Sequence, residues 1–166
     1  FLIKYEIVSN LRTFEVMGWT TIIFGLLLYI SDKFKLNQNI ENNFTFKNSI
    51  IIGFFQILAI IPGVSRSGII ITGSRFLKFN RIDSAKISFL MSIPALGFWS
   101  IYGFYDLIRQ NNNFLNISAI LTAFLSFIFS YLTIKYFLVY LKKFNLSLFV
   151  VYRLILGVMI LLVAYL

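Results

Sequence analysis

Long apolar runs, broken by short polar stretches, dominate the chain. Phe14 to Ile30 is almost wholly apolar and ends at Ser31-Asp32-Lys33-Phe34-Lys35. At about 17 residues it is just long enough to span a bilayer as a helix, and Gly18 and Gly25 lie on one face for close packing. Residues 1–13 read as interfacial. The Asn-rich stretch Leu36 to Asn48 predicts a loop of little regular structure. From Ser49 to Phe79 the apolar pattern is interrupted in its middle. Its two arms, Ser49–Ile61 and Gly68–Leu77, are each too short to cross about 30 Å of hydrocarbon at 1.5 Å per residue. A hairpin of two half-helices that enters and returns fits them better than one long helix. Ile87 to Leu107, which contains Pro94, is a full span, with Asp83 or Ser84 expected as its N-cap. A turn over Asp106–Asn113 leads to the spans Phe114–Phe137 and Leu146–Leu166. The expected fold is therefore an all-α polytopic membrane protein: one membrane domain over 1–166, with a re-entrant helix-loop-helix hairpin at 49–79.

Composition strengthens that reading. The chain is 59% hydrophobic, 19% aromatic and 13% charged, with mean hydropathy +0.86; soluble domains are nearer 25% charged. It has no cysteine and no histidine, so disulfides, Cys/His metal sites and Ser-His-Asp or Cys-His catalysis are excluded within this chain. The net charge of +9 does not point to nucleic acid, because the basic residues sit in short loops between apolar runs. With a re-entrant hairpin, Lys33, Lys35, Lys47, Lys78, Arg81, Lys86, Lys135, Lys142 and Lys143 share one side, against Lys4, Arg12 and Arg109 on the other. The richer side is expected to be cytoplasmic.

The break in the hairpin, Ile61-Pro62-Gly63-Val64-Ser65-Arg66-Ser67-Gly68, carries the candidate chemistry. Pro62 and the two glycines cannot continue a lipid-facing helix. Broken backbone at membrane depth is tolerated where it is buried in protein or lines a wet cavity. An intramembrane Arg is costly and calls for an anionic partner. Small residues, the hydroxyls of Ser65 and Ser67, the planar fork of Arg66 and a helix starting near Ser67 together suit phosphate. The plainer alternative is that Ser67 only caps a helix while Arg66 snorkels to a headgroup. Arg75 either returns to the interface or enters the cavity. Arg153, about 10 Å inside the last helix by helical rise, is expected to snorkel beside Tyr152. Ser126, Ser130 and Thr133 read as helix–helix hydrogen-bonding residues.

From Gln56-Ile57-Leu58-Ala59 through Pro62-Gly63-Val64-Ser65-Arg66-Ser67-Gly68 the sequence resembles the bacterial undecaprenyl-diphosphate phosphatase family. The likeness continues through Ala85, Ser88-Phe89-Leu90 and Ile93-Pro94 to Tyr152-Arg153. The resemblance implies hydrolysis of undecaprenyl diphosphate to the monophosphate in the bacterial inner membrane, recycling a lipid carrier for peptidoglycan synthesis. It implies Arg66 on the diphosphate with Ser65 and Ser67 assisting, and Gly63, Gly68 and Gln56 as further substrate-binding residues. It also implies a divalent cation, Mg²⁺ or Ca²⁺, and a fold of two inverted halves. The partners implied are the polyprenyl diphosphate and the membrane; a homodimer is an assembly the sequence leaves open.

Two departures stand out. Ile69-Ile70 replaces the family's Ala-Thr after the final glycine, so a threonine contact is absent or moved to Thr72. The family's first signature, rich in glutamates, is also absent, and Glu6, Glu15, Asp32, Glu41, Asp83 and Asp106 read as loop and helix-end residues. The chain begins at Phe1, without a signal-peptide pattern, and is expected to be a piece lacking its N-terminal half, with the metal ligands there. Two nucleophiles remain open, Ser65 or a water. An anionic-lipid transporter or flippase that binds without hydrolysis is the rival function, and a purely structural membrane subunit the other.

Overall fold

The computed structural model describes residues 13–34, 38–110 and 113–166. The interfacial reading of 1–12, with Lys4, Glu6 and Arg12, lies outside those residues. So do Lys35, residues 111–112 and the side chain of Asp106; the turn expected over Asp106–Asn113 is otherwise helical, up to Gln110 and again from Asn113.

Seven α-helices form, and no strand among the described residues. They are α1 (Phe14–Asp32), α2 (Ile40–Asn43), α3 (Phe46–Ile57, extended by a 3₁₀ turn at Leu58–Ile60), α4 (Arg66–Phe76), α5 (Arg81–Gln110), α6 (Asn113–Lys143) and α7 (Ser147–Tyr165). Four of them are long and apolar enough to cross a membrane: α1, α5, α6 and α7. The fold is an all-α polytopic membrane protein.

Helices α1 and α7 pack in close backbone contact because glycines face each other. A Cβ on Gly18 would stand 3.2 Å from the Gly157 carbonyl, and one on Gly157 3.1 Å from the Gly18 carbonyl. Small residues of this kind let membrane helices approach where lipid gives no hydrophobic drive. Helices α3 and α4 form a second pair, in which Gly73 leaves room for the Phe55 ring. The segment just before α2 meets the end of α4: the Gln38 N–H donates to the Lys78 carbonyl, and the Asn80 N–H to the Gln38 carbonyl. Helix α4 lies inside the bundle, with Gly68 through Arg75 all buried. By contrast α6 and the second half of α5 expose apolar and aromatic side chains, among them Trp99, Phe104, Phe124 and Phe127. That is the distribution expected of helices that face lipid or a partner.

Local chemistry moves several boundaries away from the sequence expectation. The Asn-rich stretch holds the short helix α2, and Thr45 Oγ1 accepts from the Asn48 N–H to start α3 at Phe46. Asn80, not Asp83 or Ser84, caps α5, its Oδ1 accepting from the Asp83 N–H at 2.8 Å. Asp83 accepts instead from the Ile40 N–H and the Asn80 amide.

Asp32 ties four elements together where α1 ends. It pairs with Arg75 of α4 at 3.2 Å and takes a two-pronged bond from Arg81 of α5, at 2.7 and 3.1 Å. The Leu146 N–H before α7 donates to it at 3.1 Å. Arg75 also donates to the carbonyls of Asp32, Phe34 and Phe79 and is 4% exposed. It therefore neither snorkels nor enters the candidate site; it binds α4 to α1.

Candidate anion site at the start of helix α4

The broken segment folds into a turn over 61–65 with Gly63 at φ 88° and Ser65 at φ 63°, ψ 110°. A non-glycine residue with positive φ is held there by its surroundings at a cost of about 1–3 kcal/mol. The restraints are visible. Thr20 Oγ1 donates to the Pro62 carbonyl at 2.6 Å, and Thr21 Oγ1 to the Gly63 carbonyl at 3.2 Å. Arg153 Nη2 donates to the carbonyls of Gly63 and Val64 at 2.9 and 2.8 Å. Val64 is fully buried beneath the turn.

Ser65 caps α4, its Oγ accepting from the Gly68 N–H at 3.3 Å and lying 3.5 Å from Ser67 Oγ. Both hydroxyls are exposed. The helix begins at Arg66, so the N–H groups of Arg66 and Ser67 have no acceptor within α4, and the positive end of the helix faces the turn.

The expected site residues divide between two hollows. Gly63, Ser65, Ser67 and Gly68 line a cavity of about 550 Å³ together with Arg153. Most of the rest of its wall is apolar, including Leu28, Ile71, Phe137, Phe149, Leu156 and Ile160, with Thr21, Thr133 and Tyr152 among them. Arg66 lines a smaller recess of about 260 Å³ with Ser67, Ser88, Phe89 and Ser92. Ser67 borders both, and Ser88 Oγ donates to its carbonyl at 3.3 Å. Among the described residues no carboxylate pairs with Arg66.

Three expectations change. Gln56 sits on α3 before the 3₁₀ turn and lines neither hollow. Thr72 does not stand in for the family threonine; it is buried, and its Oγ1 donates to the Gly68 carbonyl. Arg153 does not snorkel but is buried against the turn, 8% exposed. Sequence reasoning undervalued it because Tyr152 beside it suits an interface. The two residues lie on different faces of α7, and Tyr152 is exposed. Protein atoms crowd the Cβ positions of both loop glycines. A Cβ on Gly63 would collide with Thr20 Oγ1 and the Met17 carbonyl, and one on Gly68 with Arg153 Nη1.

Among the described residues, no three Asp, Glu, His or Cys side chains converge to hold a metal ion. The oxygens of Asp32 are taken by Arg75, Arg81 and the Leu146 N–H. Those of Asp83 are taken by the Ile40 N–H, Asn80 and Lys86. A divalent cation does not fit the described residues.

The structure is thus a helical membrane bundle in which a strained, cation-flanked turn at a helix N-terminus opens on a largely apolar cavity. The profile of the family described as bacitracin resistance protein BacA matches residues 1–159, and the chain belongs to that family. Proteins named undecaprenyl-diphosphatase are similar to it. The one from Pelagibacter ubique (strain HTCC1062) is 47% identical over 151 residues, covering 91% of this chain and 59% of that protein. Those from Campylobacter curvus (strain 525.92) and Chromohalobacter salexigens are 43% and 41% identical, covering 90% and 97% of this chain and 56% and 61% of their own lengths. The chain thus spans about three fifths of the relatives it matches.

Proposed function

We propose that the intact protein hydrolyses undecaprenyl diphosphate to undecaprenyl phosphate and phosphate in the bacterial inner membrane, renewing the lipid carrier of peptidoglycan synthesis. The observation that carries this reading is the joining of two chemistries in one cavity. The hydroxyls of Ser65 and Ser67 at the helix end stand at one part of its wall, and apolar side chains, among them Ile71, Phe137, Phe149 and Leu156, line much of the remainder. An amphiphile with a diphosphate head and a branched hydrocarbon tail matches that division. A cavity of this size takes a headgroup and the first isoprene units, leaving the distal chain in lipid.

Phosphoryl transfer depends mostly on positioning and charge neutralisation. Arg66 is the residue assigned to the diphosphate, with Ser65 and Ser67 donating to its oxygens. Ser65 and a water are the two candidate nucleophiles. The divalent cation implied by the resemblance would draw its ligands from outside the described residues. The helix pair α3–α4 is assigned as a re-entrant hairpin, and the exposed faces of α5 and α6 are where the remainder of the intact protein or a second copy would pack.

The test is phosphate release by the intact protein from prenyl diphosphates in detergent. Turnover that falls in Arg66→Lys supports the reading. Saturable binding without any release by the wild type would replace hydrolysis with transport.

A further inference from the structure

Arg153 has one donor group more than its surroundings use. Nη2 is satisfied twice, by the carbonyls of Gly63 and Val64, while Nη1 is buried with no hydrogen-bond partner. An unsatisfied buried donor on a charged group costs at least about 1–3 kcal/mol, and such groups in native proteins call for an explanation. The neighbour of Nη1 is the first turn of α4. A Cβ on Gly68 would stand 2.7 Å from Nη1 and 3.2 Å from Ser65 Oγ. The same turn has the helix-end N–H groups of Arg66 and Ser67, and Arg66 reaches the recess on the other side of Ser67.

We propose that Arg153 is the second cation of the anion site. It enters from beneath the turn while Arg66 stands at the recess, and its Nη1 is completed by an oxygen of a phosphate or diphosphate headgroup. Nη2 holds the turn in its strained form, so one guanidinium both shapes the site and charges its floor. Gly68 is glycine because Nη1 takes the place of a side chain. The proposal rests on the phosphate reading of the turn.

The experiment measures equilibrium binding of two probes, inorganic pyrophosphate and farnesyl diphosphate, to the intact protein in detergent. Arg153→Gln should weaken both by about tenfold to a hundredfold, the equivalent of one charged hydrogen bond. Arg153→Lys should recover part of that loss, because it restores the charge but cannot hold two carbonyls and face Gly68 together. Gly68→Ala is the second variant; it keeps the arginine but crowds Nη1, and should weaken both probes severalfold even where Arg153→Gln fails to fold. Wild-type affinity for pyrophosphate in a folded Arg153→Gln protein, or in Gly68→Ala, overturns the proposal. A loss confined to farnesyl diphosphate overturns it too, since Arg153 would then serve the tail. A wild-type protein that binds neither probe removes the phosphate reading itself, and this inference with it.

Discussion

Arg66 and Arg75 lie at the two ends of one helix and face opposite tasks. Arg66 is half-buried, beside a recess with serine hydroxyls, and is expected to need its fork. Arg66→Lys should lower kcat/KM for prenyl diphosphates by about tenfold to a hundredfold with little change in melting temperature. Arg75→Lys should do the reverse. Its guanidinium reaches three carbonyls and the Asp32 carboxylate, a set one ammonium cannot cover. Thermal melting should fall before the turnover of the surviving folded protein does. Ser65 poses a different question, because it is both cap and candidate nucleophile. Ser65→Gly accepts positive φ freely, and glycine as N-cap costs only a few tenths of a kcal/mol relative to serine. The variant should stay folded. A loss of turnover beyond a thousandfold would mark the hydroxyl as the attacking group, whereas a loss under tenfold would leave it a cap and hand the attack to water.

Elements are joined here by buried polar contacts that no apolar pattern reveals. Asp32 links α1, α4, α5 and the start of α7 through Arg75, Arg81 and the Leu146 N–H. Asp32→Asn leaves Arg75 charged and buried without its carboxylate, which costs about 3–5 kcal/mol. Thermal unfolding in detergent should show a marked drop, and unchanged melting would mean that water or the neighbouring carbonyls already satisfy Arg75. From the sequence, Asp32 was only the polar end of an apolar run. Its partners stand 43 and 49 positions away, beyond the reach of any local pattern. The elements themselves were more legible. Four long apolar runs became helices α1, α5, α6 and α7, and the broken run became α3 and α4. Boundaries shifted where a cap chose differently, as Asn80 did for α5. The turn at 61–65 was legible from proline and glycine alone, and its capping serine was Ser65 rather than Ser67. Arg153 was expected to snorkel because its partners, the carbonyls of Gly63 and Val64, lie about ninety positions earlier.

At the scale of the whole molecule, the question is on which side of the membrane each connection between helices lies. Helices α3 and α4 are too short to cross about 30 Å of hydrocarbon separately. The end of α4 is tied to the segment just before α2 by the pairing of Gln38 with Lys78 and Asn80 and by the Asn80 amide donating to Asn39 Oδ1 at 2.7 Å. If that hairpin enters and leaves by one face, Lys47 and Lys78 must share a side. Lys33, Arg81, Lys86, Lys142 and Lys143 then join them, and the excess of basic residues makes that side cytoplasmic. Lys47, Lys78 and Lys143 are exposed, and so is Arg109 at the far end of α5, so single cysteines at these positions report topology directly; the chain has no native cysteine to interfere. In cells treated with a membrane-impermeant maleimide, Arg109→Cys should label from outside. Lys47→Cys, Lys78→Cys and Lys143→Cys should label only after the membrane is opened. Labelling of Lys47→Cys and Lys78→Cys from opposite faces would mean that the segment crosses. The turn at Ser65 would then lie along a through-path, and the reading of a hairpin that presents an anion site to a lipid headgroup would have to be abandoned.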